Sequence, residues 1–529
     1  MSPNRRIFLN VVATYGRSLY ALAIGLFCGR WTLMLLGQTD YGLMGLVGGL
    51  TGFITFFNGI FAGSVGRFYA FYIGKEKAAE NSADGIEECR RWFSLAVLIH
   101  LSIPVLLVIV GYPAGVWAVR NFLNIPPDRV EACVWVLRFV CASCFVGMAN
   151  VPFQAMYTAK QEIAELTIYS FITTTANFVF LYFAIQHPGN WLVKFMLWTC
   201  CLSMAPQMVI AWRAVVKYPE CRLRLRYLWD KTRFVQLFGY AAARFWTAFT
   251  DMFATQSRNI LVNKFLGPKC NASMQVGGAV SGHAMTLSNA LSQAFWPALV
   301  NKAGEGDTEK VFKMAFFACR IGTAAVMLFA LPLMLEAKEV LVLWLVDPPY
   351  FSSMLCVAAL LVMIMERLTD GYWMVILGMG KGVKTYSLVI GWSAVPCILV
   401  LYLFFFMGMG FWSVFWGAMV WGLCILVLRI ILGSRLVGLR FCRWLRSVFV
   451  PMCSIAVVAL CAGFIPRSLM DGSFLRVVVT TCAVEAFFLP LVWRFALERD
   501  EREYVLERLK RKFPFMTKVP CQCSKGVNQ

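Results

Sequence analysis

Charged residues are scarce in this sequence. Only 15% of its 529 residues are charged, where about 25% is usual in a soluble domain, and three residues are histidine. Acidic residues are the scarcer sign, 28 against 49 basic ones. Long polar stretches are missing too, because apolar runs of about 20 residues recur from Phe8 to Arg494 with short breaks. These shortages exclude a soluble globular protein.

Motifs of several enzyme classes are also missing. The chain has no GxxxxGK[ST] phosphate-binding loop, no HExxH zinc motif and no GxSxG nucleophile elbow. ATP hydrolysis, zincin chemistry and serine-hydrolase chemistry therefore lack their usual residues. We expect a protein that is not an enzyme and has no cofactor, with H+ or Na+ as the candidate coupling ion.

What fills the chain instead is hydrophobic sequence. Hydrophobic residues make up 60% of it, and the mean hydropathy is +0.67. Cutting the apolar runs at glycine, proline and charge clusters gives about 14 transmembrane helices. The sequence thus predicts an all-α polytopic membrane protein.

Most of its nineteen cysteines lie in apolar runs as small hydrophobic residues. No metal site is expected, since Cys521 and Cys523 alone are a weak zinc motif.

The basic surplus indicates an orientation. The formal net charge is +21, and basic residues concentrate in alternate connecting segments such as RAVVKYPECRLRLRYLWDKTR. Positive residues accumulate on the cytoplasmic side of membrane proteins. We therefore expect both the N- and C-termini in the cytoplasm. Membrane lipids with anionic head groups, and no nucleic acid, are the partners that this charge favours.

An internal repeat relates the two halves of the chain. A shift of about 230 residues aligns LLGQTDYGLMGLVGG, from Leu35, with FLGPKCNASMQVGGA, from Phe265, and places Gly37 on Gly267. This offset corresponds to about six helices, an even number, so the halves share one orientation, as parallel transporter repeats do. Such halves usually enclose a substrate cavity at the midplane of the membrane.

The repeat and the helix count predict the domain organisation. We expect two six-helix lobes as a parallel repeat, followed by two extra C-terminal helices. The predicted parts are an N-terminal lobe at 1–231 (helices 1–6), a C-terminal lobe at 232–440 (helices 7–12), the extra helix pair at 441–497 (helices 13–14) and a charged cytoplasmic tail at 498–529.

These features resemble a known family. A basic N-terminal segment, a long first helix ending in LLG, the following DYG and a glycine-rich second helix, repeated after about six helices, resemble the polysaccharide (O-antigen type) flippases. These belong to the multidrug/oligosaccharidyl-lipid/polysaccharide (MOP, MATE-like) exporter superfamily. The resemblance covers nearly the whole chain, and LLGQTDYGLMGLVGG is its most specific part.

The resemblance implies a function and a location. It implies a transporter that flips a lipid-linked (undecaprenyl-pyrophosphate) oligosaccharide from the cytoplasmic to the outer leaflet by alternating access, for surface polysaccharide (lipopolysaccharide O-antigen) biosynthesis. The membrane would be the bacterial cytoplasmic (inner) membrane, and polysaccharide assembly proteins are further expected partners. The alternatives are a cation-coupled multidrug exporter or a lipid II flippase of the same superfamily, and a membrane glycan polymerase or ligase.

Three charges interrupt the apolar run ARFWTAFTDMFATQSRN, namely Arg244, Asp251 and Arg258. Their spacing of seven keeps them within about a 40° arc of one helix face, at steps of ~10.5 Å that are too long for direct pairing. A charge near the bilayer centre costs at least ~2.5–3.5 kcal/mol, so this face should line a cavity. The repeat places Arg17 and Arg30 of the first helix at nearly matching depths.

Guanidinium groups can hold a pyrophosphate bidentately. Arg17, Arg30, Arg244 and Arg258 are therefore the predicted substrate ligands. Asp251 would orient these arginines or carry the coupling ion. The alternative is that the arginines pair with carbonyls or carboxylates as links between helices.

A second charged cluster lies in MIMERLTDGYW. Arg367 and Asp370 are three residues apart and can pair on one helix face, while Glu366 and Asp370 are four apart. Because Arg367 neutralises one carboxylate, the other is a candidate site for ion coupling. The alternative is a satisfied structural pair.

Overall fold

The computed structural model describes residues 3–49, 65–66, 68–69, 72–73, 82–160, 162–497 and 502. Every regular element in this part of the chain is helical. The fold is thus all-α, as the sequence predicts. The main helices are α1 Pro3–Gly48, α2 Ser82–Leu106, α3 Val130–Ala149, α4 Val151–Ala159, α5 Ile163–Ala184, α6 Leu192–Lys217, α7 Lys231–Leu266, α8 Pro268–Gly304, α9 Thr308–Leu335, α10 Ala337–Leu345, α11 Ser352–Leu368, α12 Asp370–Met379, α13 Val383–Trp392, α14 Ala394–Phe406, α15 Trp412–Val437, α16 Val450–Leu469 and α17 Phe474–Leu491.

Many of these helices can cross a membrane. Among the described residues, nine helical stretches are long and apolar enough to do so, and a tenth is formed when the bent pair α11 and α12 is taken as one span. The chain is therefore that of a multi-pass membrane protein. The total of fourteen stays a prediction, because part of the chain, including residues 50–64, lies outside the described residues.

Local sequence explains where several helices begin. Asp230 and Asp307 accept hydrogen bonds from the backbone N–H groups three residues on, at the starts of α7 and α9. Ser473 does the same for α17. Such side chains satisfy N–H groups that have no partner inside the helix. Each of these long apolar helices therefore starts at a polar cap.

Glycine marks two helix breaks at matching positions of the repeat. Gly37 interrupts the long helix α1, and Gly267 separates α7 from α8. Both have a positive φ, which side chains with a Cβ rarely adopt. The break thus occurs in both halves where the aligned motifs have their first glycine.

The chain packs into two compact units. The first comprises the described parts of Met1–His283, Ala337–Val362 and Gly382–Leu428, and the second those of Ala284–Glu336, Met363–Lys381 and Arg429–Gln529. The division into lobes at 231 and 232 stays a prediction.

Repeat-related residues meet inside the first unit. A Cβ added to Gly42 would collide with the Pro268 carbonyl oxygen and would lie 3.1 Å from the Ala272 nitrogen, its partner in the alignment. Gln275 Nε2 donates to the Tyr41 carbonyl over 2.6 Å. Contact between aligned positions is expected close to a two-fold axis that relates the halves. The YG of the motif thus packs against the equivalent segment of the other half.

Polar pairs join distant segments of the first unit. Asp40, also in the motif, is buried and lies 3.0 Å from Nε of Arg129. Asn263 is fully buried, and its amide accepts from the Asn124 backbone N–H (2.8 Å) and donates to the Asn124 carbonyl (3.2 Å). The two amide bonds satisfy polar groups that would be costly to bury alone, and Arg129 offsets the charge of the buried Asp40.

Within the second unit, a buried carboxylate links α17 to α9. Glu336 follows α9 and is 2% exposed. Arg476 of α17 contacts one carboxylate oxygen through Nε (3.2 Å) and Nη2 (2.8 Å), and Thr480 donates to the other over 3.0 Å. Helix α17 is therefore fixed to the end of α9 by a specific ion pair.

Candidate functional site

The structure describes the side chain of one of the two predicted arginines of α1. Arg30 is half-buried and makes no hydrogen bond or ion pair with any described residue. The side chain of Arg17 lies outside the described residues, although its backbone belongs to α1. Ionisable residues within a membrane are candidate functional residues. Arg30 is thus the predicted ligand best defined by the structure.

Two helices pack beside Arg30 on α1. Trp344 of α10 donates from Nε1 to the Leu26 carbonyl over 2.7 Å. His283 Cε1 of α8 lies 3.6 Å from the position of a Cβ built on Gly25. The ring of Trp31 contacts Phe178 of α5 in a tilted arrangement, with ring centroids 4.8 Å apart. Indole, imidazole and phenyl rings therefore surround this part of α1.

The charged stripe of the second half lies on one continuous helix. Helix α7 is unbroken from Lys231 to Leu266, so positions 244, 251 and 258 share a face. The side chain of Arg244 lies outside the described residues. Asp251 is exposed, and Arg258 is half-buried in the wall of a small cavity with Cys397 and Trp421. The ligand roles of Arg244, Asp251 and Arg258 stay predictions.

The cluster in the second unit contains one more charge than the sequence suggested. Arg367 and Asp370 flank the 43° bend between α11 and α12, and Arg367 Nη1 lies 2.6 Å from Asp370 Oδ2. Arg429 of α15 lies 3.0 Å from the other oxygen, and also donates to the Glu366 carbonyl over 3.0 Å. Two cations therefore accompany the carboxylates of Glu366 and Asp370. This balance favours a structural role, and ion coupling here stays a prediction.

Other intramembrane charges have structural surroundings. Arg320 is 2% exposed and donates to the Ser447 carbonyl over 3.4 Å. Arg138 is exposed, donates to the Tyr112 hydroxyl over 3.0 Å, and lies 4.4 Å from the centroid of the Trp135 ring. Both arginines are therefore engaged by protein groups, whereas Arg30 has no such partner among the described residues.

Two intramembrane charged residues were not among the predicted site residues. Arg429 is one, and Glu485 of α17 is the other: both carboxylate oxygens of Glu485 are buried and accept no hydrogen bond from the described residues. The signal was present, because RIILG and AVEAFF each place one charge in an apolar run. The contacts of these charges depend on tertiary packing and leave no local pattern.

No metal site is evident in the described residues. No three of their His, Cys, Asp and Glu side chains are grouped to hold an ion. Cys521 and Cys523 lie outside this part of the chain. The cluster around Glu162 and Glu165 is instead an ion-pair network with Arg213 and Lys217 at the ends of α5 and α6.

Comparison with known proteins identifies solved structures with a similar fold. No family model matches the sequence, and no curated protein matches it. Lipid II flippase MurJ, in an inward closed conformation, shares the fold with a TM-score of 0.65 and 11% identity, over 92% of this chain and 99% of that chain.

Two further solved structures belong to the MOP superfamily. An inward-facing multidrug resistance MATE family transporter has a TM-score of 0.57 and 15% identity, over 83% of this chain and 96% of that chain. A transporter from Pyrococcus furiosus is described as having a binding pocket of reverse polarity. It has a TM-score of 0.51 and 14% identity, over 81% of this chain and 93% of that chain. This chain therefore has the fold of MOP superfamily transporters.

Proposed function

We propose that this protein is a transporter that flips a lipid-linked oligosaccharide, carried on undecaprenyl pyrophosphate, from the cytoplasmic to the outer leaflet of a bacterial cytoplasmic membrane. It would act by alternating access in surface polysaccharide biosynthesis, with both termini in the cytoplasm. The shared fold with a lipid flippase and with MATE transporters supports a transporter rather than an enzyme.

The observation that carries the choice of substrate is Arg30. It is an arginine of the first helix with no hydrogen bond or ion pair to any described residue. A guanidinium held in a low-dielectric site needs an anion, and its planar fork matches two phosphate oxygens. The pyrophosphate of a lipid-linked sugar provides that anion. Arg17, Arg244 and Arg258 would complete the site when the two halves face one cavity.

A cation-coupled multidrug exporter is the second candidate, supported by the fold shared with a MATE transporter. Cationic drugs require a carboxylate in the cavity, whereas the first helix carries arginine at positions 17 and 30. Asp251 is the carboxylate that would bind a cationic drug if this candidate function were correct. Lipid II is the other lipid-linked substrate to test, because it also carries a pyrophosphate.

The test is complementation of a bacterial strain that lacks its oligosaccharide flippase. We expect the wild-type chain to restore surface polysaccharide and Arg30→Ala to lose it at normal protein abundance. Arg138→Ala is the matched control, since this exposed arginine contacts Tyr112 and Trp135. Normal complementation by Arg30→Ala would remove the residue from the site. Export of cationic dyes by a chain that does not complement would favour the drug exporter.

The coupling ion is tested separately. Vesicles containing the purified protein should move the lipid-linked sugar faster under an imposed proton or sodium gradient. Asp251→Asn should remove that dependence if this carboxylate carries the ion, and Asp370→Asn should remove it if the cluster around Arg367 does. Equal rates with and without both gradients would exclude coupling to either ion.

A further inference from the structure

A groove lies between α5 and α6 in the first unit. Its volume is about 660 Å³, within the range of about 300–1,000 Å³ that is usual for ligand sites. The α5 wall includes Ile172, Ala176, Val179 and Phe183, and the opposite wall includes Trp198 of α6 and Trp191, which immediately precedes α6. All of these residues belong to the first unit.

The groove has the shape and chemistry to hold a hydrocarbon chain. Residues 172, 176, 179 and 183 recur at steps of three and four and so form one stripe along α5. The stripe is about 16 Å long at 1.5 Å per residue, close to half of a ~30 Å hydrocarbon core. Ile172 and Phe183 are each 58% exposed, so the stripe is open to a ligand along its length.

One end of the groove carries a cation. Trp191, in the wall, donates from Nε1 to the His187 carbonyl over 2.8 Å. Nζ of the exposed Lys194 lies 5.2 Å from the Trp191 ring and has no ion pair with a described residue. An apolar groove that ends at an unpaired ammonium and an indole complements a lipid whose chain ends in a phosphate.

Helix α5, which forms one wall of the groove, also packs against α1. Tyr20 of α1 stacks on Phe171 with centroids 3.8 Å apart, and its hydroxyl lies 2.8 Å from Thr175 Oγ1. Phe171 and Thr175 both line the groove. A lipid in the groove would therefore lie against α5, the helix that packs on the helix carrying Arg30.

We propose that the α5–α6 groove binds the polyprenyl chain of the transported lipid, with the lipid phosphate at Lys194. The proposal rests on the function proposed above. It adds a binding site for the lipid outside the predicted arginine site, so the first unit can hold the lipid before or after its phosphate lies at Arg30.

The test uses the full chain in nanodiscs and a polyprenyl phosphate with a photoreactive diazirine in its hydrocarbon chain. We expect cross-links at α5 residues of the groove, and loss of most of them in Ala176→Trp and Val179→Trp, which fill it. Val427→Trp is the matched control, because Val427 is 48% exposed on α15, away from the groove. Thermal unfolding of each purified variant separates filling of the groove from misfolding.

The head-group end is tested with Lys194→Gln. This variant should cross-link severalfold less of the polyprenyl phosphate and an unchanged amount of the corresponding polyprenol. Equal labelling by a diazirine phosphatidylglycerol, or unchanged labelling in both tryptophan variants, would overturn the groove as a specific site. Because labelling is measured without transport, a chain that binds the probe but moves no lipid-linked sugar would overturn the proposed function alone.

Discussion

Gly37 and Gly267 have nearly the same backbone conformation, with φ of 70° and 81° and ψ of 170° and 178°. This region of φ and ψ is essentially confined to glycine. The two residues occupy equivalent positions in the aligned motifs. The two halves of the chain therefore share a helix break as well as a sequence motif. In both, the break has a backbone conformation that glycine permits.

Substitution of either glycine should destabilise the protein. We expect Gly37→Ala and Gly267→Ala each to cost about 1–3 kcal/mol, because a Cβ makes this conformation strained. Gly278→Ala, within α8, is the control, since a Cβ built there meets no atom of another described segment within 4 Å. Thermal unfolding of the purified variants measures the difference. A Gly37→Ala protein as stable as Gly278→Ala would contradict this account.

Gly42 and Gly45 should differ in their tolerance of a side chain. A Cβ at Gly42 meets the backbone carbonyl of Pro268, whereas a Cβ at Gly45 meets the amide end of Gln275. A backbone atom moves only with its helix, but a glutamine side chain can change rotamer. We expect Gly42→Ala to lower the unfolding temperature and transport clearly more than Gly45→Ala. The reverse order would show that the contact at Pro268 is loose.

Removing Asp370 should cost more stability than removing a surface charge. Its side chain is 17% exposed and contacts Arg367 and Arg429, which are 7% and 15% exposed. Breaking a buried ion pair by losing one partner costs about 3–5 kcal/mol. Asp370→Leu should therefore unfold at a much lower temperature than Arg467→Gln, a change at an exposed residue of α16. Matching stabilities would mean that water solvates the two arginines in place of the carboxylate.

The cap of α7 should make stability depend on pH in acid. The backbone N–H of Arg233, followed by the charge of Arg233, lowers the pKa of Asp230 from its ordinary value of 3.8. A lowered pKa means that the contribution is complete above about pH 4 and is lost as the pH falls through the folded value. Asp230→Ala should cost about 0.5–2 kcal/mol at neutral pH. Asp230→Asn should keep much of the cap but lose its acid dependence, as unfolding measured against pH would show.

Properties that depend on local sequence could be predicted from it. Hydrophobic runs determine which segments are helices in a membrane, so the all-α fold followed from composition and spacing. The break at Gly37 and Gly267 followed from their place in the repeat. The ion pair of Arg367 with Asp370 followed from a spacing of three, which brings two side chains together on one helix face.

Partners far apart in the sequence could not be predicted in this way. Arg429 lies 59 residues from Asp370, and Asn263 lies 139 from Asn124. Which faces of two helices meet depends on the packing of all their neighbours, and one sequence contains no measure of that. The groove between α5 and α6 is a further example, because each helix alone is an ordinary apolar span.

The ion pair of Glu336 with Arg476 has a consequence for how this architecture can change in evolution. Loss of the segment after Met470 would leave a carboxylate that is 2% exposed without the guanidinium and hydroxyl that now satisfy it. Helix pairs of this kind therefore become difficult to lose once such a contact exists. A relative that lacks the last two helices should have an uncharged residue at the position equivalent to Glu336.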